Sequence, residues 1–307
     1  MTQPFALDLR RRPMVLAGTS LGPESDAVVR AALRLARSGR GRLLLVHALE
    51  PPPVPGGHTG FALAAPQLQA AARAGLREQL ARVGAWPNEV AGLEAELGSP
   101  GPVLRSAAER LNADVVVVGA VAGAPLPLHH VGSTVRHLLR EGSSPVLVVK
   151  GEPRLPPVRV LAPLDLSLLA ADALRGGLAL LSGAAGDRLP EVVALCAVDD
   201  GAEETAEPQA ALAAFLAEHA ADYGGTLRCE VRRGDAVAEI LAAGEREHPD
   251  LLLLGTHGRS GWQRLRLGSV AEAIVRDAPV SVLVVPAAAG LGSAFAEAIG
   301  AGTRYAV

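Results

Sequence analysis

Gly255, Gly258, Gly268 and Ser269 stand in a G-x2-G-x9-G-S array directly behind the apolar run 251–254. Glycine lacks a β-carbon, so it lets an anionic ligand approach the backbone and permits left-handed φ. Gly268 and Ser269 precede a helical pattern over 270–276, so unpaired amides and a hydroxyl would face an anion at the positive end of a helix. Arg259, Arg264 and Arg266 lie between the glycines, where a guanidinium can reach phosphate oxygens. The chemistry that fits is the holding of a nucleotide phosphate. The array matches neither the dinucleotide fingerprint G-x-G-x-x-G nor the P-loop G-x-x-x-x-G-K-[ST].

The same outer spacing recurs 136 residues earlier, from Gly119 to Gly132-Ser133, so the chain is a tandem repeat. In that copy Gly258 becomes Ala122, Arg259 becomes Gly123, Arg264 becomes Leu128 and Arg266 becomes His130. Every arginine of the array is replaced. If the Gly258 position needs a left-handed backbone, alanine there costs about 1–2 kcal/mol.

The elements that must carry these arrays alternate. In the first copy the pattern predicts strands at 15–18, 42–49, 90–97, 115–118 and 146–149. Helices are expected over 24–38, from about 67 to 83, over 102–111 and from about Ser133, with a Pro- and Gly-rich loop over 51–66. The second copy repeats the order, with strands at 158–162, 192–198, 227–231, 251–254 and 282–285, and helices at 168–181, 208–223, 236–247 and through 270–276. Unbroken apolar runs rather than alternation indicate strands covered on both faces, hence an open parallel α/β sheet in each copy. Ligands bind such sheets at the carboxyl ends of strands where strand order reverses, and Gly255 stands at such an end. The apolar, uncharged segments 146–149 and 282–285 would need protection as edges, and pairing with each other would make one chain a pseudo-dimer.

Composition agrees with two globular domains: 307 residues, 49% hydrophobic and 3% aromatic. The expected boundaries are 14–150 and 155–286, with a Pro-rich linker over 150–157 and a short tail over 287–307. A net charge of −3 argues against a nucleic-acid surface. Lys150 is the only lysine, so a Walker lysine or a Schiff base has a single candidate, at a predicted domain end. Cys196 and Cys229 sit in strand-like runs without a C-x-x-C spacing, which suits reduced thiols in a cytoplasmic protein. No apolar stretch reaches the ~20 residues of a membrane span. His129-His130 offers no third metal ligand by spacing, and the position of Trp262 is left open.

The run 251–261, Gly268-Ser-Val-Ala-Glu272, Ala278-Pro279 and Val282–Val285 resemble the universal stress protein family. Residues 158–286 match its whole domain, including Pro163-Leu-Asp-Leu-Ser167 and Gly234-Asp235, and residues 14–150 match more loosely. The resemblance implies an adenine nucleotide α-hydrolase-like sheet ordered 3-2-1-4-5, an ATP site where the glycine motif is intact, and dimerisation through strand five. It also implies Asp165 beside the nucleotide, with Pro163 and Leu164 lining the base and Ala197 near the adenine. Gly255, His257, Gly258 and Arg259 would follow ribose and phosphates, and Gly268, Ser269 and Val270 would close on the phosphate tail. In the first copy the position of Asp165 is Ser20, so the acidic group is lost there.

The expectation is one ATP site, with Mg2+, in the second copy, beside a structural first copy, in a stress-response or signalling protein. No carboxylate–histidine arrangement marks a dedicated base, so any ATP hydrolysis should be slow. A nucleotide-independent scaffold is the further alternative, and a homodimer beyond the internal pairing stays open.

Overall fold

The computed structural model describes residues 12–51, 57–120, 131–185, 188–198, 207–256 and 267–286, the side chains of 57–63 and 87 excepted. The first repeat runs β1 (Met14–Gly18), α1 (Asp26–Ser38), β2 (Arg42–Leu49), α2 (Gly57–Arg82), β3 (Gly92–Leu97), α3 (Pro100–Leu111), β4 (Val115–Gly119), α4 (Ser133–Glu141) and β5 (Val146–Val149). The second runs β6 (Arg159–Pro163), α5 (Leu168–Ala184), β7 (Glu191–Val198), α6 (Glu207–His219), β8 (Leu227–Arg233), α7 (Ala236–Glu247), β9 (Leu251–Gly255), α8 (Ser269–Asp277) and β10 (Val282–Val285).

Each repeat is a parallel sheet of order 3-2-1-4-5, as the resemblance implies, but the two sheets are joined. The ten strands form one sheet, β3-β2-β1-β4-β5-β10-β9-β6-β7-β8, whose single antiparallel step is β5 against β10. Leu147 faces Leu283 at its centre, flanked by Val148 against Val282 and Val146 against Val284. Leu147 and Leu283 are equivalent in the two repeats, so the pairing is a pseudo-two-fold. Both strand-five edges are thereby consumed inside the chain, and the outer edges are β3 and β8.

The strands bury both faces, and the two cores run through both repeats. One core gathers α1, α2, α5 and α6 with Leu147 and Leu283; the other gathers α3, α4, α7 and α8 with Val146, Val148, Val282 and Val284. At the amino ends of the strands an aspartate clasps each central pair. Asp114 Oδ2 accepts from Met14 N at 2.6 Å, and its counterpart Asp250 Oδ2 accepts from Val158 N at 2.7 Å and Arg159 N at 3.0 Å. Close packing at the other end uses a glycine: a β-carbon on Gly177 of α5 would come within 2.3 Å of Leu253 Cδ1 in β9.

One expectation fails at α2. Instead of a loop over 51–66, the helix starts at Gly57 and runs through Pro66. Pro66 is exposed and Ala65 buried, so the lost backbone bond falls on the solvent side, where Ala62-Leu-Ala-Ala65 are strong helix formers. The tail over 287–307, His129, His130 and Trp262 lie outside the described residues. Cys196 and Cys229 are not joined in a disulfide, and burial pushes the Cys229 thiol up.

The linker is tied across the junction. Arg30 of α1 pairs with Glu152, and Arg34 Nη1 donates to the Pro153 carbonyl at 2.8 Å. Lys150 Nζ donates to the carbonyls of Arg276 at 3.0 Å and Ala278 at 2.6 Å. Burial lowers its ammonium to about 8, opposed by the nearby Asp277 carboxylate.

Because both cores cross the junction, Leu283→Ala is expected to cost about 2–5 kcal/mol and to lower one common transition in denaturant unfolding. Two separate transitions, only one of them moved, would show that the repeats fold independently. Lys150 also sets a pH dependence. Below pH ~8 the amine is protonated both folded and unfolded; above it the unfolded chain binds more protons. The stability of the chain relative to Lys150→Met should therefore rise with pH between about 8 and 10.5, measured by unfolding at fixed ionic strength.

Candidate functional site

Strand order reverses between β6 and β9, and there the ladder is short. It joins Val160 to Leu251 and Leu161 to Leu252, whereas the equivalent β1–β4 ladder continues to a third pair, Ala17 with Val117. Beyond Leu161 and Leu252 the strands run on to Pro163 and Gly255 without pairing each other. At this opening is a small cleft of about 10 Å³, room for one water, lined by Pro163, Leu164, Leu174, Leu253, Leu254 and Gly255 with Ala170 and Ala173. Its side chains are apolar, with backbone polar groups exposed between them.

Leu164 is held over the sheet by its amide, which donates to the Leu195 carbonyl at 2.8 Å. Asp165 follows it. Its Oδ1 accepts from Ser167 N at 3.1 Å and Ser167 Oγ at 2.7 Å, and Ser167 Oγ in turn accepts from Ala170 N at 3.1 Å, capping α5. The turn that places Asp165 depends on Leu166, whose φ of +58° is left-handed. A leucine there stores about 1–2 kcal/mol of strain. The equivalent Leu21 has φ +70°, which independently confirms that Ser20 matches Asp165. Ala197, two residues beyond the β7 partner of Pro163, lies at the same carboxyl end.

Across the crevice Thr256 is buried and joins the two ends of the glycine loop. Its amide donates to Val285 O at 3.2 Å, and its carbonyl accepts from Gly268 N at 2.9 Å. Gly268 is the N-cap of α8 and provides no side-chain cap, in contrast to Ser167 on α5 and Asp235 on α7. Ser269 and Val270 form the first turn, so their amides lack intrahelical partners. The structure thus gathers Pro163, Leu164, Asp165, Ala197, Gly255, Gly268, Ser269 and Val270 at one end of the sheet. His257, Gly258 and Arg259, with Arg264 and Arg266, lie outside the described residues.

One reading of the residues needs correction. Left-handed freedom is not what the glycines at either end of the loop supply: Gly255 is a strand residue paired with Val285, and Gly268 has φ −59°. The absent side chain, not the backbone angle, is their contribution. In the first repeat Ser20 stands at the position of Asp165, and its Oγ donates to Glu24 Oε1 at 2.5 Å, a bond that holds this carboxyl below its usual range. Leu166 and Thr256 were missed altogether. No residue type signals a left-handed leucine, and Thr256 acts through its backbone.

In the first repeat the residue after strand one is Thr19, not a leucine, and it begins a buried polar network. Thr19 Oγ1 donates to Gln79 Oε1 at 2.7 Å and lies 2.8 Å from Ser25 Oγ. Gln79 Nε2 donates to Asp26 Oδ1 at 3.0 Å, and Arg82 grips Asp26 through Nε at 2.7 Å and Nη2 at 2.8 Å. Arg82 holds the Asp26 carboxyl below its usual range, against the effect of burial. Gln79 is fully buried, so α2 uses its polar capacity internally where the second repeat has an apolar wall. Among the described residues no three His, Cys, Asp or Glu are placed to hold a metal ion, and no helix is long and apolar enough to cross a membrane.

Comparison with known proteins agrees with this fold. A family model described as the universal stress protein family matches residues 13–150 and again 158–286. The universal stress protein MJ0531 of Methanocaldococcus jannaschii is 38% identical over 66 residues, covering 22% of this chain and 39% of that protein. Among solved structures, a universal stress protein from Archaeoglobus fulgidus superposes with a TM-score of 0.61 at 18% identity, over 89% of this chain and 98% of its own. PA1789 of Pseudomonas aeruginosa, a protein of unknown function, superposes at 0.63 and 17% identity over 96% and 100%. Those two likenesses concern the fold. With two matched repeats spanning most of its length, the chain belongs to the universal stress protein family.

Proposed function

We propose that this protein binds ATP at one site, in the second repeat, and acts in a stress response or in signalling through that binding rather than through turnover. The observation that carries the reading is the crevice between β6 and β9. It opens one residue pair earlier than its counterpart, is lined by apolar side chains, and ends at Gly255, from which Thr256 leads to the Gly268 N-cap of α8. An apolar slot near unpaired amides suits a flat base joined to a polyanion.

In this reading Pro163, Leu164 and Ala197 hold the base and Asp165 accepts from the nucleoside. Gly255, with His257, Gly258 and Arg259, follows ribose and phosphates, while Gly268, Ser269 and Val270 receive the phosphate tail. Mg2+ would enter bound to the phosphates, since magnesium keeps most of its water and needs few protein ligands. The first repeat is the structural member, its Thr19–Gln79–Asp26–Arg82 network already satisfied.

Calorimetric titration with ATP and Mg2+ should give one site per chain. A stoichiometry of two equivalent sites would remove the asymmetric reading, and absence of binding would remove the site. Asp165→Ala should weaken ATP about tenfold or more by loss of a charged acceptor. Unchanged affinity in that variant would take Asp165 out of the site.

A further inference from the structure

Helix α8, whose first turn is the proposed phosphate end, is held at both ends by the other repeat. At its last turn Lys150 Nζ binds the carbonyls of Arg276 and Ala278, acceptors that a helix end leaves unpaired. The Lys150 backbone is itself fixed, its amide donating to Ser281 Oγ at 2.9 Å and its carbonyl accepting from that hydroxyl at 3.3 Å. In the first turn Glu272 lies 3.8 Å from Arg136 Nε of α4. A carboxylate in that turn would repel an incoming phosphate, and Arg136 offsets it.

These contacts do not obey the pseudo-two-fold. The residue equivalent to Arg136 is Glu272, and the residue equivalent to Lys150 is Pro286, which has no donor. Two identical repeats would bring arginine against arginine, or glutamate against glutamate, and would leave both helix ends without the lysine. Only two different repeats build this arrangement, and it acts in one direction, from the first repeat onto α8.

We propose that the first repeat completes the nucleotide site of the second, with Lys150 and Arg136 as positioning residues that fix α8 so that Gly268, Ser269 and Val270 meet the phosphates in a set place. This rests on α8 being the phosphate helix of the site. With nine residues α8 is only two and a half turns long, so a constraint at its last turn is transmitted to its first. A cationic donor at the carboxyl end and an anion at the amino end both favour the same helix dipole.

The test is ATP titration of the full chain with hydrogen exchange of the α8 amides. Lys150→Met is expected to raise the ATP dissociation constant about fivefold and to speed exchange across 269–277, while Lys150→Arg, which keeps the donors, stays within about twofold. Leu283→Ala weakens the same interface without touching either end of α8, so it should lower stability and leave affinity unchanged. Equal affinity in Lys150→Met and the unaltered chain, or an equal loss in Leu283→Ala, overturns the proposal. If the unaltered chain binds no ATP, the site reading fails instead, and exchange alone decides the coupling: faster exchange confined to α8 in Lys150→Met upholds it, and unchanged protection overturns it.

Discussion

The antiparallel ladder between β5 and β10 is the constraint on which the remainder of the molecule depends. Three facing pairs of apolar residues turn two open sheets into one, and they do so at the two strands least able to stand as edges. Because the side chains of these strands alternate between faces, the ladder also welds two cores, one on each side of the sheet. Everything that crosses between repeats follows from this register, including the place of Lys150 at the end of α8.

Within each repeat the sheet is closed at one end and opened at the other. Asp114 and Asp250 satisfy the first amides of β1 and β6 and keep the amino ends together. At the carboxyl ends the central strands part because successive helices leave on opposite sides. The repeats then diverge at the residue that follows strand one. The first uses Thr19, Ser25, Gln79, Asp26 and Arg82, whose hydrogen bonds are complete in themselves. The second places Leu164 there and ends its ladder a pair sooner, near a first turn of α8 whose amides have no intrahelical partners. One ancestral position thus serves as internal cement in one repeat and as a candidate binding surface in the other.

Much of this was legible from residue order. Apolar runs such as Val115–Val118 and Leu251–Leu254 can only be strands covered twice, and the 136-residue offset between the glycine arrays exposed the repeat before any coordinate. Gly255 and Gly268 stand out because their spacing is local to one strand–loop–helix unit, whereas Asp165 is singled out only through the family resemblance. The failures are equally specific. Pro66 suggested a loop because proline frequency carries no information about which side of a helix faces water. Leu166 could not be flagged, since its left-handed φ is imposed by the turn around Asp165 and not by leucine itself.

Residue order alone therefore established the repeat, the order of its elements and the asymmetry of its glycine arrays, because periodicity and turn chemistry act over a few neighbouring residues. The tertiary structure decided that the two sheets are one, that Gln79 of α2 ties Thr19 to Asp26 in the first repeat, and that Lys150 and Arg136 reach the helix of the other repeat. Those contacts join residues as far as 136 positions apart, and only the pseudo-two-fold register of β5 on β10 brings them together. No local pattern encodes such a register, since it is selected by the burial of both strands at once.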